Sequence, residues 1–178
     1  SDTRQLFFED MKVPVENMLG NPKEGFKTFL KTLIGGRISV GALAVGTAEG
    51  AYKKALKYST ERKAFGREIY KFQSIGFKLA DMATRIEAAK LLVFNSAWMK
   101  DQGKDVTKEA AMAKLFASEV AMDVTTEAIQ IYGGYGYVAE YDVERFFRDA
   151  KVLEIGEGTS EVQRLVISRE IIKDILKK

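Results

Sequence analysis

The chain has 178 residues, which is enough for one domain with a sizeable hydrophobic core. It contains no histidine and no cysteine, which excludes imidazole acid–base chemistry, thiolate nucleophiles, disulfides and the usual zinc ligand sets. Its 28 basic and 25 acidic residues nearly balance and are interspersed, which excludes a strongly basic surface for nucleic acid. We therefore predict no metal site and no nucleic-acid partner.

Helix-forming residues dominate the composition. Only two prolines occur, and Ala, Leu, Lys and Glu are abundant, so the composition predicts a mainly helical protein. No apolar run approaches membrane-spanning length, and Ser1–Arg4 does not resemble a secretion signal. These features predict an intracellular domain without a membrane span, in a bacterial cytoplasm or, as the alternative, a mitochondrial matrix.

The first segment has the character of a strand. Residues 5–14 are rich in aromatic residues, alternate in part, and end at Pro14. A lone strand cannot pair its backbone, so it needs partners that the rest of the sequence does not supply. We therefore expect the chain to begin inside another domain. Residues 17–25 follow as a loop.

A long helix is predicted over residues 26–58, although it contains several glycines. Each interior glycine costs about 1 kcal/mol relative to alanine, so the glycines need a local explanation. Close packing of another helix is the commoner explanation, and close approach of a ligand is the alternative. The glycines are Gly35, Gly36, Gly41, Gly46 and Gly50. Residues 59–66 break the helical pattern.

Two further long helices follow. Apolar residues recur every three or four positions from Phe72 to Val93, which predicts a helix with one face toward a core. The next helix starts around Asp105 to Thr107, either of which can cap it, and stops at Gly133–Gly134. The residues expected to face inward on this helix are Met112, Leu115, Val120, Val124, Ala128 and Ile131.

The C-terminal region completes a bundle. A short helix is predicted from Glu140 to Ala150, and a last helix from about Ser160 to Leu176. Ser160 and Gln163 have the spacing of a capping box. Because the connections are short, we predict an all-α fold: an antiparallel four-helix bundle with additional short helices, preceded by a short β-strand segment from a missing domain.

Glu157 is the best candidate for a catalytic base. In a chain without histidine or cysteine, proton transfer falls to Glu, Asp, Lys or Tyr. Glu157 lies between Gly156 and Gly158, immediately before the last helix, and the glycines allow unusual dihedrals and close approach of a ligand. The alternative is that the two glycines only shape a turn and that Glu157 is a solvated side chain.

A glycine-rich aromatic stretch ends the third long helix. Residues 130–137 read Gln-Ile-Tyr-Gly-Gly-Tyr-Gly-Tyr. Taken alone, this stretch favours a C-cap and turn over a phosphate site, because the C-terminus of a helix presents carbonyl groups and the negative end of its dipole. A ligand role depends on support from neighbouring motifs.

Taken together, these segments resemble the C-terminal part of the flavin-dependent acyl-CoA dehydrogenase family. Residues 6–20 look like the last strand of that family's middle β domain and the linker after it. The resemblance continues in order along the whole chain. Its further motifs are Glu61–Gly66, Gln73, Gln130–Gly134, Phe147–Lys151 and Glu157–Glu161.

The resemblance implies a domain organisation and a reaction. Residues 1–20 would end the middle β domain, and residues 21–178 would form the C-terminal helical domain. Glu157 would remove the α-proton of an acyl-CoA thioester while the β-hydrogen leaves as hydride to the flavin of FAD. Electrons would usually pass on to electron transfer flavoprotein, and the enzyme would be a homodimer or homotetramer.

The resemblance also implies binding residues. Arg37 and Gly158 would lie beside the substrate, although an internal ion pair is an alternative for Arg37. The FAD of a neighbouring subunit would contact Arg62, Gln73, Gln130, Ile131, Tyr132, Gly133 and Gly134. The subunit's own FAD would contact Thr159, Ser160 and Glu161. For Arg62 the alternative is a solvated charge.

Two departures from the family pattern bear on the base. Many members have tyrosine where this chain has Gly156, which alters the pocket wall. Some branches carry the base on the first long helix near Gly36, where glycine cannot serve. Two other functions stay open: a non-catalytic helical domain for oligomerisation or partner binding, and a related flavin oxidase that passes electrons to oxygen.

Overall fold

Five α-helices make up most of this computed structural model, which describes residues 2–176. Two short antiparallel strands pair Lys63 with Glu68. The α-helices are α1 Gly25–Glu61, α2 Gln73–Asp101, α3 Thr107–Tyr132, α4 Val143–Ile155 and α5 Ser160–Leu176. The strands are β1 Lys63–Ala64 and β2 Arg67–Glu68, and single 3-10 turns cover Val15–Asn17, Ile69–Lys71, Gly133–Tyr137 and Ala139–Tyr141. The predicted all-α bundle with additional short helices is confirmed.

Helix α3 lies at the centre of the bundle and contacts each of the other four α-helices. The contact between α1 and α3 is made largely by small side chains, which let two helix backbones approach closely. The predicted inward stripe of α2 is confirmed, because Leu79, Met82, Ile86 and Val93 are all buried. The fully buried alanines of these two helices are Ala44, Ala48, Ala51 and Ala55 of α1 and Ala110, Ala111, Ala113, Ala117, Ala121 and Ala128 of α3.

The first half of α3 differs from the prediction. Met112 and Leu115, expected to face inward, are only half-buried. The buried positions there include Lys114, which is fully inaccessible to solvent. The periodic pattern misplaced this face because it assigns large apolar residues to the core, whereas close contact with α1 requires small ones. The cause of a buried lysine lies in the functional site.

Close packing explains two of the glycines in α1. A Cβ atom at Gly50 would lie 2.6 Å from Cε1 of Phe146 on α4, and one at Gly41 would lie 3.0 Å from Cγ2 of Val93 on α2. Gly46 differs, because a Cβ there meets nothing within 4 Å. At Gly36 the neighbour is the carboxylate of Glu157.

These contacts predict opposite effects of alanine at two glycines of one helix. Gly46→Ala should stabilise the protein by up to about 1 kcal/mol, because alanine favours the helix and no atom opposes it. Gly50→Ala should destabilise it by about 1–3 kcal/mol, because the ring of Phe146 must shift. Urea titrations of the two variants measure both changes, and equal stabilisation by the two would refute the packing explanation for Gly50.

The predicted N-terminal strand is not formed. Residues 2–14 contain neither helix nor strand, and their side chains are exposed. A lone strand is unstable because its backbone groups stay unpaired, and the described chain offers no partner strand for this segment. The only strands in the described range form a small hairpin after α1, with β1 inside the predicted break at residues 59–66 and β2 directly after it.

Helix α1 also has the length and mean hydropathy, 1.3 over its most apolar window, of a helix that could cross a membrane. The sequence reading found no such run. Length and composition alone do not distinguish a membrane span from the core helix of a soluble protein. Because α1 packs along α3 through its buried alanines and carries the buried Arg37, we treat it as a bundle helix.

Two predicted ends of α3 are confirmed. The carboxylate of Asp105 accepts hydrogen bonds from the backbone N–H of Thr107, at 3.0 Å, and from its hydroxyl, at 2.6 Å. Helix α3 ends at Tyr132, and Gly133 follows with a φ of +62°. A positive φ is readily adopted by glycine, so this residue ends the helix and turns the chain.

Candidate functional site

The turn between α4 and α5 presents Glu157. Gly156 has an ordinary φ of −64°, whereas Glu157 has a φ of +56° and Gly158 a φ of +94°. An unusual φ was expected at both glycines. It is present at Gly158, whereas the second positive φ occurs at Glu157 and not at Gly156. A residue with a side chain adopts this conformation at a cost, and such strain clusters at functional sites.

The Glu157 side chain points at the backbone of α1. A Cβ atom built on Gly36 would lie 2.5 Å from Oε2 of Glu157, so any side chain at that position would displace the carboxylate. Residue 36 and residue 157, far apart in the sequence, therefore adjoin the same space. Glu157 remains exposed, which leaves its carboxylate open to a ligand.

Arg37 places a buried cation beside this carboxylate. The residue is only 6% exposed, and its Nε atom has no hydrogen-bond partner within the described range. Burial lowers the pKa of Arg37, the nearby Glu157 carboxylate opposes that shift, and Arg169 of α5 adds to it. Among residues 2–176, Arg37 forms no ion pair, so the closed internal ion pair considered as its alternative role is not what the structure shows.

Two buried side chains donate hydrogen bonds to the turn that contains Glu157 and Gly158. Lys114 of α3 donates a hydrogen bond from Nζ to the carbonyl oxygen of Gly158, at 2.9 Å. Gln163 donates from Nε2 to the same oxygen, at 2.8 Å, and lies 3.2 Å from the carbonyl oxygen of Glu157. The sequence reading missed Lys114. The one available signal was a lysine at the helical spacing of the buried alanines.

The predicted capping box at the start of α5 is wrong. Thr159, not Ser160, caps the helix, because its Oγ1 accepts a hydrogen bond from the backbone N–H of Val162 at 3.4 Å. Gln163 turns back to the two carbonyl groups of the preceding turn instead of bonding the N-cap backbone. Ser160 Oγ and Gln163 Oε1 are consequently buried without a partner in the described part of the chain.

The first turn of α5 carries an anionic side chain, that of Glu161. The backbone N–H of Glu161 and the hydroxyl of Thr159 hydrogen-bond the Glu161 carboxylate and lower its pKa. The helix N-terminus favours the ionised carboxylate in the same way. Of the three residues predicted as cofactor contacts here, Thr159 and Glu161 present polar groups next to Glu157, whereas Ser160 is buried.

A second region lies at the other end of α1. A cavity of about 400 Å³ is lined there by residues from the end of α1, the 3-10 turn after β2, the end of α3 and the segment that follows α3. It brings together five of the seven residues predicted to contact a neighbour's cofactor. The lining residues are Tyr58, Arg62, Ile69, Ile131, Tyr132, Gly133, Gly134, Tyr135 and Val138.

The remaining two predicted contacts do not line this cavity. Gln130 is exposed near the end of α3, and Gln73 is exposed as the first residue of α2. Conversely, the sequence reading missed Tyr58, Ile69 and Tyr135 as lining residues. Tyr58 precedes Arg62 by one helical turn, and this spacing was the available signal.

The cavity combines aromatic rings with one cation. The rings of Tyr58 and Tyr132 stack with centroids 3.9 Å apart, and the hydroxyl of Tyr132 donates to the carbonyl oxygen of Lys54 at 3.2 Å. The guanidinium of Arg62 lies over the ring of Tyr135, 5.4 Å from its centroid. Within residues 2–176 no carboxylate pairs with Arg62, so its charge is available to an anion, and the rings suit a planar aromatic group.

These two regions are too far apart to serve one ligand on one chain. Arg62 follows Gly36 by 26 residues along α1, which corresponds to roughly 39 Å at 1.5 Å per residue. That length exceeds the extent of one molecule of a dinucleotide cofactor. A cofactor that uses both regions must therefore contact two copies of the chain.

Known proteins are similar to this chain in sequence and in fold. The profile of the acyl-CoA dehydrogenase C-terminal domain matches residues 23–172. The short-chain specific acyl-CoA dehydrogenase of Clostridium acetobutylicum is 55% identical over 173 residues, covering 97% of this chain and 46% of the relative. The CarC subunit of the caffeyl-CoA reductase-Etf complex from Acetobacterium woodii is 52% identical over 171 residues, covering 96% of this chain and 45% of the relative.

A solved structure agrees with these relatives. Butyryl-CoA dehydrogenase from Megasphaera elsdenii matches with a TM-score of 0.91 at 55% identity, covering 93% of this chain and 43% of that chain. The chain therefore spans less than half the length of the relatives that it matches.

Proposed function

We propose that this chain is the C-terminal part of an FAD-dependent acyl-CoA dehydrogenase, because the chain belongs to the acyl-CoA dehydrogenase family. The observation that carries the proposal is the placement of Glu157. Its carboxylate is presented by a strained turn, open to solvent on one side and bounded by the backbone of α1 on the other. Residues 1–20 would then belong to the end of a middle β domain, and residues 21–178 to the helical domain.

In the proposed reaction, Glu157 accepts the α-proton of an acyl-CoA thioester. The cofactor FAD supplies, when bound, the acceptor for the β-hydrogen, which leaves as hydride. The products are an enoyl-CoA, a protonated Glu157 and a reduced cofactor, so protons and electrons balance. An acyl chain over the exposed carboxylate would exclude water from it, and the absence of a side chain at Gly36 leaves room for the carboxylate.

Arg37 and Gly158 complete the proposed substrate side. The buried guanidinium of Arg37 has a free N–H beside Glu157 and would face an anionic or carbonyl group of the substrate. Gly158 follows the base directly, and we propose that it lies beside the thioester. Both roles come from the family resemblance and are supported by the closeness of these residues to Glu157.

The residues present fit FAD in two places. Thr159, Ser160 and Glu161 would contact the subunit's own FAD, and the unpartnered buried hydroxyl of Ser160 supports this role. The cation without a carboxylate partner at Arg62 and the bare backbone of Gly133 and Gly134 would receive the pyrophosphate of a neighbour's FAD. The neighbour's FAD would also contact Ile131 and Tyr132 in the cavity, and Gln73 and Gln130 outside it.

The separation of the two regions supports an oligomer. Because they lie roughly 39 Å apart along α1, a shared cofactor requires a homodimer or homotetramer. We propose electron transfer flavoprotein as the electron acceptor, since a relative 52% identical is a subunit of a reductase-Etf complex. We propose a bacterial cytoplasm as its location, with a mitochondrial matrix as the alternative, since relatives include bacterial enzymes and a mitochondrial one from Mus musculus that is 50% identical.

The test is bleaching of flavin absorbance by substrate in the longer protein that carries the upstream domains. Butyryl-CoA is the first probe, because the matched solved structure is a butyryl-CoA dehydrogenase. A protein that binds no flavin would favour the non-catalytic bundle. Release of peroxide during turnover would favour the oxidase, and bleaching that persists until an electron acceptor is added supports the dehydrogenase.

The chain as it stands should self-associate without turning over acyl-CoA. Its apolar and aromatic surface on α2, including Phe77, Leu91, Phe94 and Trp98, is exposed, and the proposed site needs upstream domains and a neighbouring subunit. Sedimentation velocity measures the first expectation and flavin reduction by butyryl-CoA the second. A strict monomer, or substrate-dependent flavin reduction by this chain alone, would contradict the respective expectation.

A further inference from the structure

Lys114 is a buried cation that the proposed reaction does not use. It lies on α3 between Ala113 and Ala117, is 0% exposed, and is the largest side chain that is fully buried in the described part of the chain. Its ammonium group has one hydrogen-bond partner, the carbonyl oxygen of Gly158, at 2.9 Å. The two residues are 44 positions apart in the sequence.

A lysine at this position is costly for packing alone. Transfer of a charge from water into the protein interior is unfavourable unless other groups compensate, and a methionine would fill the same space without that cost. Burial accordingly lowers the pKa of Lys114. The carboxylates of Glu154, Glu161 and Glu157 attract its charge, whereas Arg37 repels it. This cost indicates that the ammonium group has a role, such as donating a hydrogen bond, that an apolar side chain cannot perform.

The turn that accepts the hydrogen bond from Lys114 has an unfavourable backbone conformation. Glu157 and Gly158 both have positive φ, and a residue with a side chain keeps such a conformation only when its surroundings over-determine it. The carbonyl oxygen of Gly158 receives two donors, Lys114 from α3 and Gln163 from α5. These donors connect the turn to two different helices, so it cannot rotate without breaking both bonds.

We propose that Lys114 is a positioning residue for Glu157. Its ammonium group, together with the amide of Gln163, fixes the carbonyl of Gly158 and so keeps the Glu157 carboxylate directed at Gly36 of α1. The role of the turn in proton abstraction rests on the proposed function. The attachment of the turn to α3 does not, and the two parts can be tested separately.

The first test measures the turn in the chain as it stands. Lys114→Met keeps the volume but removes the donor, and Lys108→Met on the same helix is the matched control. We expect the backbone amides of Val162 and Gln163, which bond Thr159, to exchange with solvent roughly tenfold faster or more in Lys114→Met. The melting temperature should not fall, because a buried charge is removed.

The control and a second variant keep this test decisive. Lys108 pairs with Asp174 and Glu109, so Lys108→Met should leave exchange at Val162 and Gln163 unchanged. Should Lys114→Met fold poorly, Lys114→Gln, which is polar but shorter, must show the same local increase in exchange. Wild-type protection of the first turn of α5 in a folded Lys114 variant would overturn the proposal.

The second test measures the consequence in the FAD-loaded enzyme. Lys114→Met should lower the rate of flavin reduction by butyryl-CoA roughly 10- to 100-fold, because a misdirected base slows proton abstraction. Flavin content and the Kd of butyryl-CoA should change much less than this rate, because the residues proposed to bind FAD and the thioester all remain present. In a Glu157→Gln background the same substitution should have no further effect on the rate.

The two tests separate the possible failures. Faster exchange with an unchanged reduction rate would show that Lys114 holds the turn but does not position the base, which overturns the proposal. If the wild-type enzyme is not reduced by any acyl-CoA, the proposed function fails, and the exchange experiment still decides whether Lys114 secures the turn.

Discussion

Glu157→Gln should abolish bleaching of the flavin by an acyl-CoA substrate while leaving FAD bound. Glutamine keeps the shape of the side chain and fits the same space against Gly36, but it has no basicity. Loss of a positioned general base lowers a rate by roughly 10²–10⁴-fold. Stopped-flow absorbance with butyryl-CoA measures the reduction rate, and the flavin-to-protein ratio measures cofactor content.

The interpretation depends on a loss confined to proton transfer. Glu87→Gln, an exposed change on α2 remote from the turn, is the control and should reduce at the wild-type rate. The Kd of butyryl-CoA should change little in Glu157→Gln, because the substitution removes an interaction made in the transition state. Wild-type reduction rates in Glu157→Gln would place the base elsewhere and would remove the observation on which the proposed function rests.

Arg62→Ala should weaken retention of FAD and the stability of the oligomer together. Arg62 lies in the cavity at the end of α1, held over Tyr135 and without a carboxylate partner in residues 2–176. Loss of a charge-assisted contact to pyrophosphate costs about 1.5–3 kcal/mol, or roughly tenfold or more in affinity. Gln130→Ala should act in the same direction, and less strongly, because Gln130 lies outside the cavity.

Added FAD provides a further readout for these variants. A ligand that binds only the folded protein stabilises it by mass action, so excess FAD should raise their melting temperatures toward that of the wild type. Arg145→Ala, which removes an exposed arginine paired with Asp142, is the matched control and should keep its flavin. Full flavin occupancy in a stable oligomer for both variants would reduce Arg62 and Gln130 to ordinary surface residues.

Local sequence patterns were sufficient for the existence of the helices and for most of their ends, although the short helix predicted from Glu140 to Ala150 is observed as Val143–Ile155. The spacing of apolar residues in α2, the start of α3 close to Asp105 and its end at Gly133, and the start of α5 at Ser160 follow from interactions within a few residues. The absence of histidine and cysteine left few residue types for proton transfer, and the flanking glycines selected Glu157 among them. These inferences hold without knowledge of which helices touch.

Contacts between distant segments could not be inferred in this way. The carboxylate of Glu157 faces Gly36, Phe146 covers Gly50, and Lys114 bonds the carbonyl of Gly158, each across a separation that periodicity does not encode. The N-terminal segment failed as a strand for a related reason, since pairing depends on a partner and not on local propensity. Helical period follows from backbone geometry within one turn, whereas the carbonyl that a buried lysine meets is set only when α3, α4 and α5 pack together.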